Sequence, residues 1–452
     1  MKGALSANPR VLLCTAYRRF RNDYWDVIGG QVFGLPRVAS PRRVSMSLRF
    51  LKQNVPEVEI LEYPMWPEYV ERLREGWDVV GFTFFENEIA EIARMAEEAR
   101  SHGIRELWAG GYGALNPAIP RIVDRVFTGA SEDAVARVFG YRIPDDSIEH
   151  PVMCWPGTIK PGNIPLLTLG LLYTQHGCPF ECSFCQTPAL DTRPLPINIE
   201  SIERVIKHYR SKGLTDLFIA DELFGYNPRL SEKLTGMFAR YKFRWWAQSR
   251  ISLILDHLDE WYEKGLRFPM IGLESTVQKS LDIIKKRQKT AEIEEYAERT
   301  KEKPGIYRIV DWMIGYENMS RDETIQDAVQ LKRMGFDAHG VSVLTPFPGT
   351  PLWKELDSKY GIIKDNYRDF DTGHLVWNHP EITPSQMLYL RASLINYLNN
   401  PFDAYIRPFS RIVRERLREK GFEFVWRDLI KGPLAASLYD DRKQIFFKRL
   451  GS

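Results

Sequence analysis

Leu171-Leu172-Tyr173-Thr174-Gln175-His176-Gly177-Cys178-Pro179-Phe180-Glu181-Cys182-Ser183-Phe184-Cys185-Gln186 is the stretch on which the fold turns. Its first residues end the most apolar run of the chain, Ile164 to Tyr173, which is strand-sized. The loop that follows carries three of the five cysteines within eight residues, spaced CxxxCxxC. Thiolates this close suit a cubane iron–sulfur cluster, and three protein sulfurs leave one of its four irons open to an exogenous ligand. A closed structural zinc site wants four protein ligands, and Cys14 and Cys154 lie far off in sequence. Cys14 reads as a small buried residue of a strand, and Cys154 as a linker residue.

Beyond the loop, strands are expected at Asp216 to Ala220, Phe243 to Ala247, Phe268 to Gly272, Tyr307 to Ile314 and Val341 to Leu344, separated by charged helical stretches. With the strand before the cysteines this makes six, the repeat of a partial β/α barrel. Functional groups of such barrels stand at the carboxyl ends of the strands. Those ends carry Asp221 and Glu222, Gln248 and Arg250, Glu274 and Ser275, and Tyr316 to Asn318. Together they offer both signs of charge, as a zwitterionic ligand needs.

The cysteine spacing, with the aromatic Phe184 before the last cysteine, resembles the radical S-adenosylmethionine enzymes, whose signature is CxxxCxΦC. The likeness runs over roughly residues 165 to 355: Ile271 to Ser275 looks like the family's fourth-strand segment, Met313 to Asn318 like its fifth-strand turn, and Thr345 to Leu352 like its closing segment. It implies that Cys178, Cys182 and Cys185 ligate a 4Fe-4S cluster. It also implies that S-adenosylmethionine is held by Phe184 against the adenine and by Asp221, Glu222, Gln248, Arg250, Glu274 and Ser275, and is cleaved to a 5′-deoxyadenosyl radical. A low-potential electron donor is implied as a partner.

Upstream, apolar runs at Val11 to Thr15, Val58 to Leu61, Val79 to Phe84, Leu107 to Ala109 and Val126 to Phe127 alternate with helical patterns. One helix starts behind a cap at Asn87. Strand, helix, strand means a Rossmann-like, doubly wound parallel sheet, whose ligands bind beyond the strands' carboxyl ends. No GxGxxG follows the first strand, which disfavours a dinucleotide. Such a sheet before the barrel resembles the cobalamin-binding subclass, and implies corrin contacts from Thr83 and Phe84, Gly110, Gly111 and Tyr112, and Gly129, Ser131 and Glu132. The subclass's DxHxxG motif is absent, no histidine occurring before His102; cobalamin bound without a protein imidazole is therefore expected.

The expected organisation is α/β: residues 1–150 as the cobalamin-binding sheet, 160–352 as the radical barrel, and 353–452 as a mostly helical region shaping the substrate site. The resemblance implies methyl transfer through methylcobalamin to an unactivated carbon of a peptide or protein side chain or a natural-product intermediate. The alternative is a radical enzyme that closes a ring or a carbon–carbon bond in a lipid or tetrapyrrole, with or without cobalamin. The cofactors supply this chemistry, so no acid–base pair is singled out.

Composition sets the outer limits. At 452 residues with 44% apolar and 27% charged residues the chain is globular, and a net charge of +3 does not imply nucleic acid. Few cysteines fit a reducing cytoplasm, and no run approaches the roughly 20 apolar residues of a membrane span. From Pro401 on, twelve Lys or Arg face seven Asp or Glu. Arg411, Arg414 and Arg418 fall at helical spacing beside Ile412, Val413 and Leu417, a basic face suited to peripheral contact with an acidic protein or lipid headgroups. His374 and His379 flank an apolar centre and read as packing or pocket wall rather than metal ligands.

Overall fold

Val11–Thr15, apolar but for its last residue, is buried along its whole length, as a strand covered on both faces requires. In the computed structural model, which describes residues 8–18, 38–39, 44–159, 164–364, 366–424, 426 and 444–450, it lies inside a five-stranded parallel sheet. The spatial order is Glu59–Leu61, Val11–Thr15, Val79–Thr83, Glu106–Gly110, Arg125–Val126. In chain order this is 2-1-3-4-5, which reverses between the first and third strands and opens a crevice there. Ile89–Ser101 covers one face with Ile92, Met95, Ala96 and Ala99 buried. Its start differs from the expected Asn87 cap. A short 3-10 turn, Glu86–Glu88, precedes the helix, and the Glu88 carboxylate accepts from the Phe85 amide at 3.0 Å.

Six further parallel strands follow in chain order, Ile164–Leu172, Asp216–Ile219, Arg244–Ser249, Leu266–Glu274, Ile309–Ile314 and Ala338–Val343. All six stand where the apolar runs place them. The outer edge of the first is taken by Cys154–Ile159, paired antiparallel and itself flanked by Val38–Ala39, so the barrel is partial and open. Cys154 is therefore not a linker residue. It begins a strand and is buried, a role hidden because that strand holds Pro156 and Gly157.

Helices wrap the barrel through close fits. A Cβ at Gly170 would lie 2.5 Å from the ring of Tyr209 on Ile199–Ser211, so glycine is what lets that helix approach. The Tyr209 hydroxyl accepts from the Met153 amide at 2.9 Å and lies 2.9 Å from the Leu171 carbonyl oxygen, tying together two strands and a helix.

After the barrel, Pro384–Leu398 packs on the last strand. Arg391 donates to the Val341 carbonyl at 2.9 Å, and Asn399 bonds both the amide and the carbonyl of His339. On Arg407–Lys420 the expected basic face is divided. Arg411 donates to Asp337 at 2.7 Å and to the Ile306 carbonyl at 2.8 Å, so it belongs to the barrel, while Arg414 and Arg418 are exposed. Residues 444–450 return to the junction of the sheet and barrel, where Phe447 bonds Gln53 and Leu450 bonds Glu149. Among the described residues no helix is long and apolar enough to cross a membrane.

Candidate active site

The loop with the three cysteines is held from three sides. The Ser183 amide donates to the Ile284 carbonyl at 2.9 Å, and the Ser183 carbonyl accepts from the Leu352 amide at 2.9 Å. Gln186 reaches the Pro348 carbonyl at 3.1 Å. Cys178, Cys182 and Cys185 are free thiols. Burial pushes Cys178 up to about 11 and raises Cys185, with the neighbouring cysteines adding to both, so metal uptake must displace protons. Among the described residues no three His, Cys, Asp or Glu side chains are gathered for a single ion. Three free thiols on one short loop are a donor set that fits three irons of a cubane cluster.

Arg250 lies beneath the loop. Its Nη1 is 3.8 Å from Cys182 Sγ, its Nη2 donates to the carbonyls of Lys286 and, at 3.2 Å, Arg287, and its guanidinium sits 4.1 Å over the Phe180 ring. Named above among the residues implied to hold S-adenosylmethionine, it is engaged here in supporting the cysteine loop. Asp221 is also inward-turned: fully buried, it accepts from the Thr174 amide at 2.5 Å and from the Thr174 hydroxyl, fixing the approach to Cys178. Burial raises its pKa to about 7. Ser275 points away from the lumen, donating to Asp327 at 2.8 Å. Phe184 is half-buried against the core.

Polar groups remain in the lumen. Glu222 accepts from the Tyr173 hydroxyl, and burial raises its pKa. Gln248 is half-buried at the end of its strand. Glu274 pairs with Lys286 at 2.7 Å, both nearly buried, and its positive φ of 69° turns the chain sharply at the strand end. Asp311, across from Gly272 in register, is half-buried, and its side chain makes no hydrogen bond among the described residues. Burial and the neighbouring Glu274 push it up to about 7. Asp311 and Lys286 were missed in the sequence, although an acid at an inward position of the apolar run Ile309 to Ile314 is a visible signal.

Comparison with known proteins fits this geometry. Residues 172–331 match the Radical SAM superfamily. Residues 172–331 are a radical SAM domain. An uncharacterised methyltransferase of Pyrococcus horikoshii is 25% identical over 266 residues, 56% of this chain and 54% of that protein. The anaerobic magnesium-protoporphyrin IX monomethyl ester cyclase of Cereibacter sphaeroides is 28% identical over 213 residues, 44% of this chain and 33% of that protein. The chain thus spans about half, or less, of the length of these curated relatives. The radical S-adenosylmethionine methyltransferase TsrM of Kitasatospora setae, solved with cobalamin and a 4Fe-4S cluster bound, aligns with a TM-score of 0.62 at 14% identity, covering 87% of this chain and 90% of that one. At that identity the likeness establishes the shared fold of sheet and barrel.

The sheet's loops meet the radical SAM domain directly. The Tyr112 hydroxyl is 3.1 Å from Thr187 Oγ1, and a Cβ on Gly129 would stand 3.0 Å from the Leu190 carbonyl oxygen. Gly349 of the closing segment packs on Leu115. Several loop residues expected to touch a ligand are explained by packing. Phe84 is buried in the sheet's core, and a Cβ on Gly113 would strike its ring. Gly111 has a φ of 83° and abuts the Thr83 hydroxyl, which itself lies 3.2 Å from Ser47 Oγ. Gly110 has more room, its nearest neighbour being the Phe127 carbonyl oxygen at 3.8 Å. Ser131 donates to the Gly129 carbonyl, and Glu132 is buried at its own helix start. The aromatic that faces outward is Phe85, 55% exposed and stacked on Tyr112 at 6.1 Å. His374 and His379 are engaged with Asp371 and the Tyr316 carbonyl.

Proposed function

We propose that this chain is a radical S-adenosylmethionine enzyme that moves a methyl group by way of cobalamin onto an unactivated carbon of its substrate. The observation that carries this reading is the contact of Tyr112, at the carboxyl end of a sheet strand, with Thr187, two residues past the last cysteine. It sets the ligand-binding rim of a parallel sheet against the cluster loop. When bound, the 4Fe-4S cluster and S-adenosylmethionine supply hydrogen-atom abstraction, and cobalamin supplies methyl carriage.

The chain's own residues hold and orient. Cys178, Cys182 and Cys185 hold the cluster, and Arg250 and Asp221 fix the loop that bears them. Glu222, Gln248 and the pair Glu274 with Lys286 present both signs of charge to S-adenosylmethionine. The Phe85 and Tyr112 stack with the rim at Thr83, Gly110 and Gly129 borders the corrin. The acceptor in this reading is a peptide or protein side chain or a natural-product intermediate.

The test is anaerobic reconstitution with cobalamin, iron and sulfide, followed by metal and product analysis. About four irons and one cobalt per chain, with S-adenosylhomocysteine and 5′-deoxyadenosine formed together, are expected. Iron without cobalt overturns methyl transfer. The cyclase relative favours a second reading, ring closure on a tetrapyrrole; it predicts 5′-deoxyadenosine without S-adenosylhomocysteine.

A further inference from the structure

Phe402–Ile406 forms a wide helical turn that runs straight into the helix Arg407–Lys420. The inner side of this element is pinned to the barrel. Ala404 is fully buried and its carbonyl accepts from the Tyr307 hydroxyl at 2.8 Å, Pro408 is buried, and Arg411 holds Asp337 and the Ile306 carbonyl. These contacts fix which side chains look outward.

Phe402, Ile406, Phe409 and Leu417 do so, with exposures of 58%, 59%, 65% and 43%. With the half-buried Val413 they recur every three or four residues, which draws one stripe about 22 Å long down the helix. Single exposed apolar residues are ordinary, but a contiguous stripe marks a surface that meets something. Arg407, Arg414 and Arg418 stand exposed beside it. The acids of the same stretch are turned inward or answered: Glu415 is half-buried, and Asp403 lies between Lys332 at 3.6 Å and Arg407 at 4.0 Å. Beyond them the exposed Lys420 and Glu423 offset each other in charge, so the outward face keeps a positive surplus.

We propose that this face rests on an anionic lipid surface, with the apolar stripe at the acyl boundary and the arginines at the headgroup phosphates. A row of large apolar side chains edged by cations is what a helix lying in a bilayer interface presents. Arginine stems reach from the level of the acyl chains to the phosphates, which the guanidinium binds through paired N–H donors. A straight ridge also needs no matching groove in a deformable bilayer. The contact is peripheral, and it stands apart from the function proposed above, since it requires neither cluster nor cobalamin.

The test is cosedimentation of the full chain with vesicles of phosphatidylcholine alone and of phosphatidylcholine mixed with phosphatidylglycerol, at low and high salt. Binding to the anionic vesicles at low salt is expected, weakened by salt and slight with phosphatidylcholine alone. The double variant Ile406→Ser, Phe409→Ser should lose it, and Arg414→Gln, Arg418→Gln should weaken it about tenfold or more. All four side chains are exposed, so Tm should match that of the unaltered chain. Absence of binding to the anionic vesicles overturns the proposal, as does binding that the serine variant retains. A chain that is a dimer without lipid by light scattering, and a monomer as the serine variant, assigns the stripe to a second copy and overturns it as well. Should the serine variant lower Tm, the arginine variant decides: anionic binding that it leaves unchanged refutes the assignment.

Discussion

Tyr112 Oη lies 3.1 Å from Thr187 Oγ1, a bond between the rim at the carboxyl ends of the sheet strands and the cysteine loop. Burial, together with Glu222, Cys185 and Cys178, raises the phenol's pKa, so it stays protonated and remains able to donate. Tyr112→Phe keeps the stack on Phe85 and removes the bond to Thr187, worth about 1 kcal/mol, together with the hydroxyl's interaction with Glu222. Methyl transfer should fall about fivefold with iron content unchanged. A loss of iron in the variant would instead make Tyr112 part of the cluster's own support.

The ion pair of Glu274 with Lys286 is nearly buried, and Asp311 stands beside it. Removing one member of a buried pair strands the other, at a cost of about 3 to 5 kcal/mol. The two directions are unequal here. Glu274→Gln leaves Lys286 with Asp311 as a remaining partner, whereas Lys286→Met leaves Glu274 and Asp311 facing each other. Denaturant titration should therefore find Lys286→Met the more damaging, with Asp311→Asn partly restoring it. Equal losses would show that Asp311 is not coupled to the pair.

At Gly170 the contact is steric. Alanine there forces the Tyr209 ring outward from 2.5 Å, and overpacking of this kind costs about 1 to 3 kcal/mol. Because the Tyr209 hydroxyl also accepts from the Met153 amide, moving the ring strains the bond that ties this helix to the start of the edge strand. Gly170→Ala should lower Tm clearly, and Tyr209→Leu should relieve part of that loss. Simple additivity of the two losses would refute the clash.

The barrel strands and the cysteine loop are the legible part of this protein because their signals are local: apolar runs bounded by charged helices, and three thiols within eight residues. Roles that depend on distant partners are not legible. Ser275 is drawn outward by Asp327, 52 residues on, and Arg250 is fixed by carbonyls 36 and 37 residues on. Tyr112 stood among the expected loop residues, but its partner belongs to the other unit, 75 residues away. The glycines of the sheet's rim show a further limit. Gly111 and Gly113 look like room left for a ligand, yet what fills that room is Thr83 and Phe84 of the neighbouring strand end.

Glu86 gives the sheet a pH dependence of its own. It is 1% exposed, accepts from Asn116 Nδ2, and is pushed up to about 8 by burial. An unfolded chain loses this proton near the ordinary glutamate value of about 4.3. Between there and pH 8 the folded state holds a proton that the unfolded state has given up. Rising pH therefore favours unfolding, by up to about tenfold in the equilibrium constant per pH unit, and this contribution levels off above 8. Glutamine resembles the protonated acid and has no proton to lose. Urea titration should accordingly find Glu86→Gln close to the unaltered chain at pH 5 and distinctly more stable at pH 8.5. A difference that stays constant over that range would mean that Glu86 is ionised in the folded protein throughout, and that its burial is relieved by water.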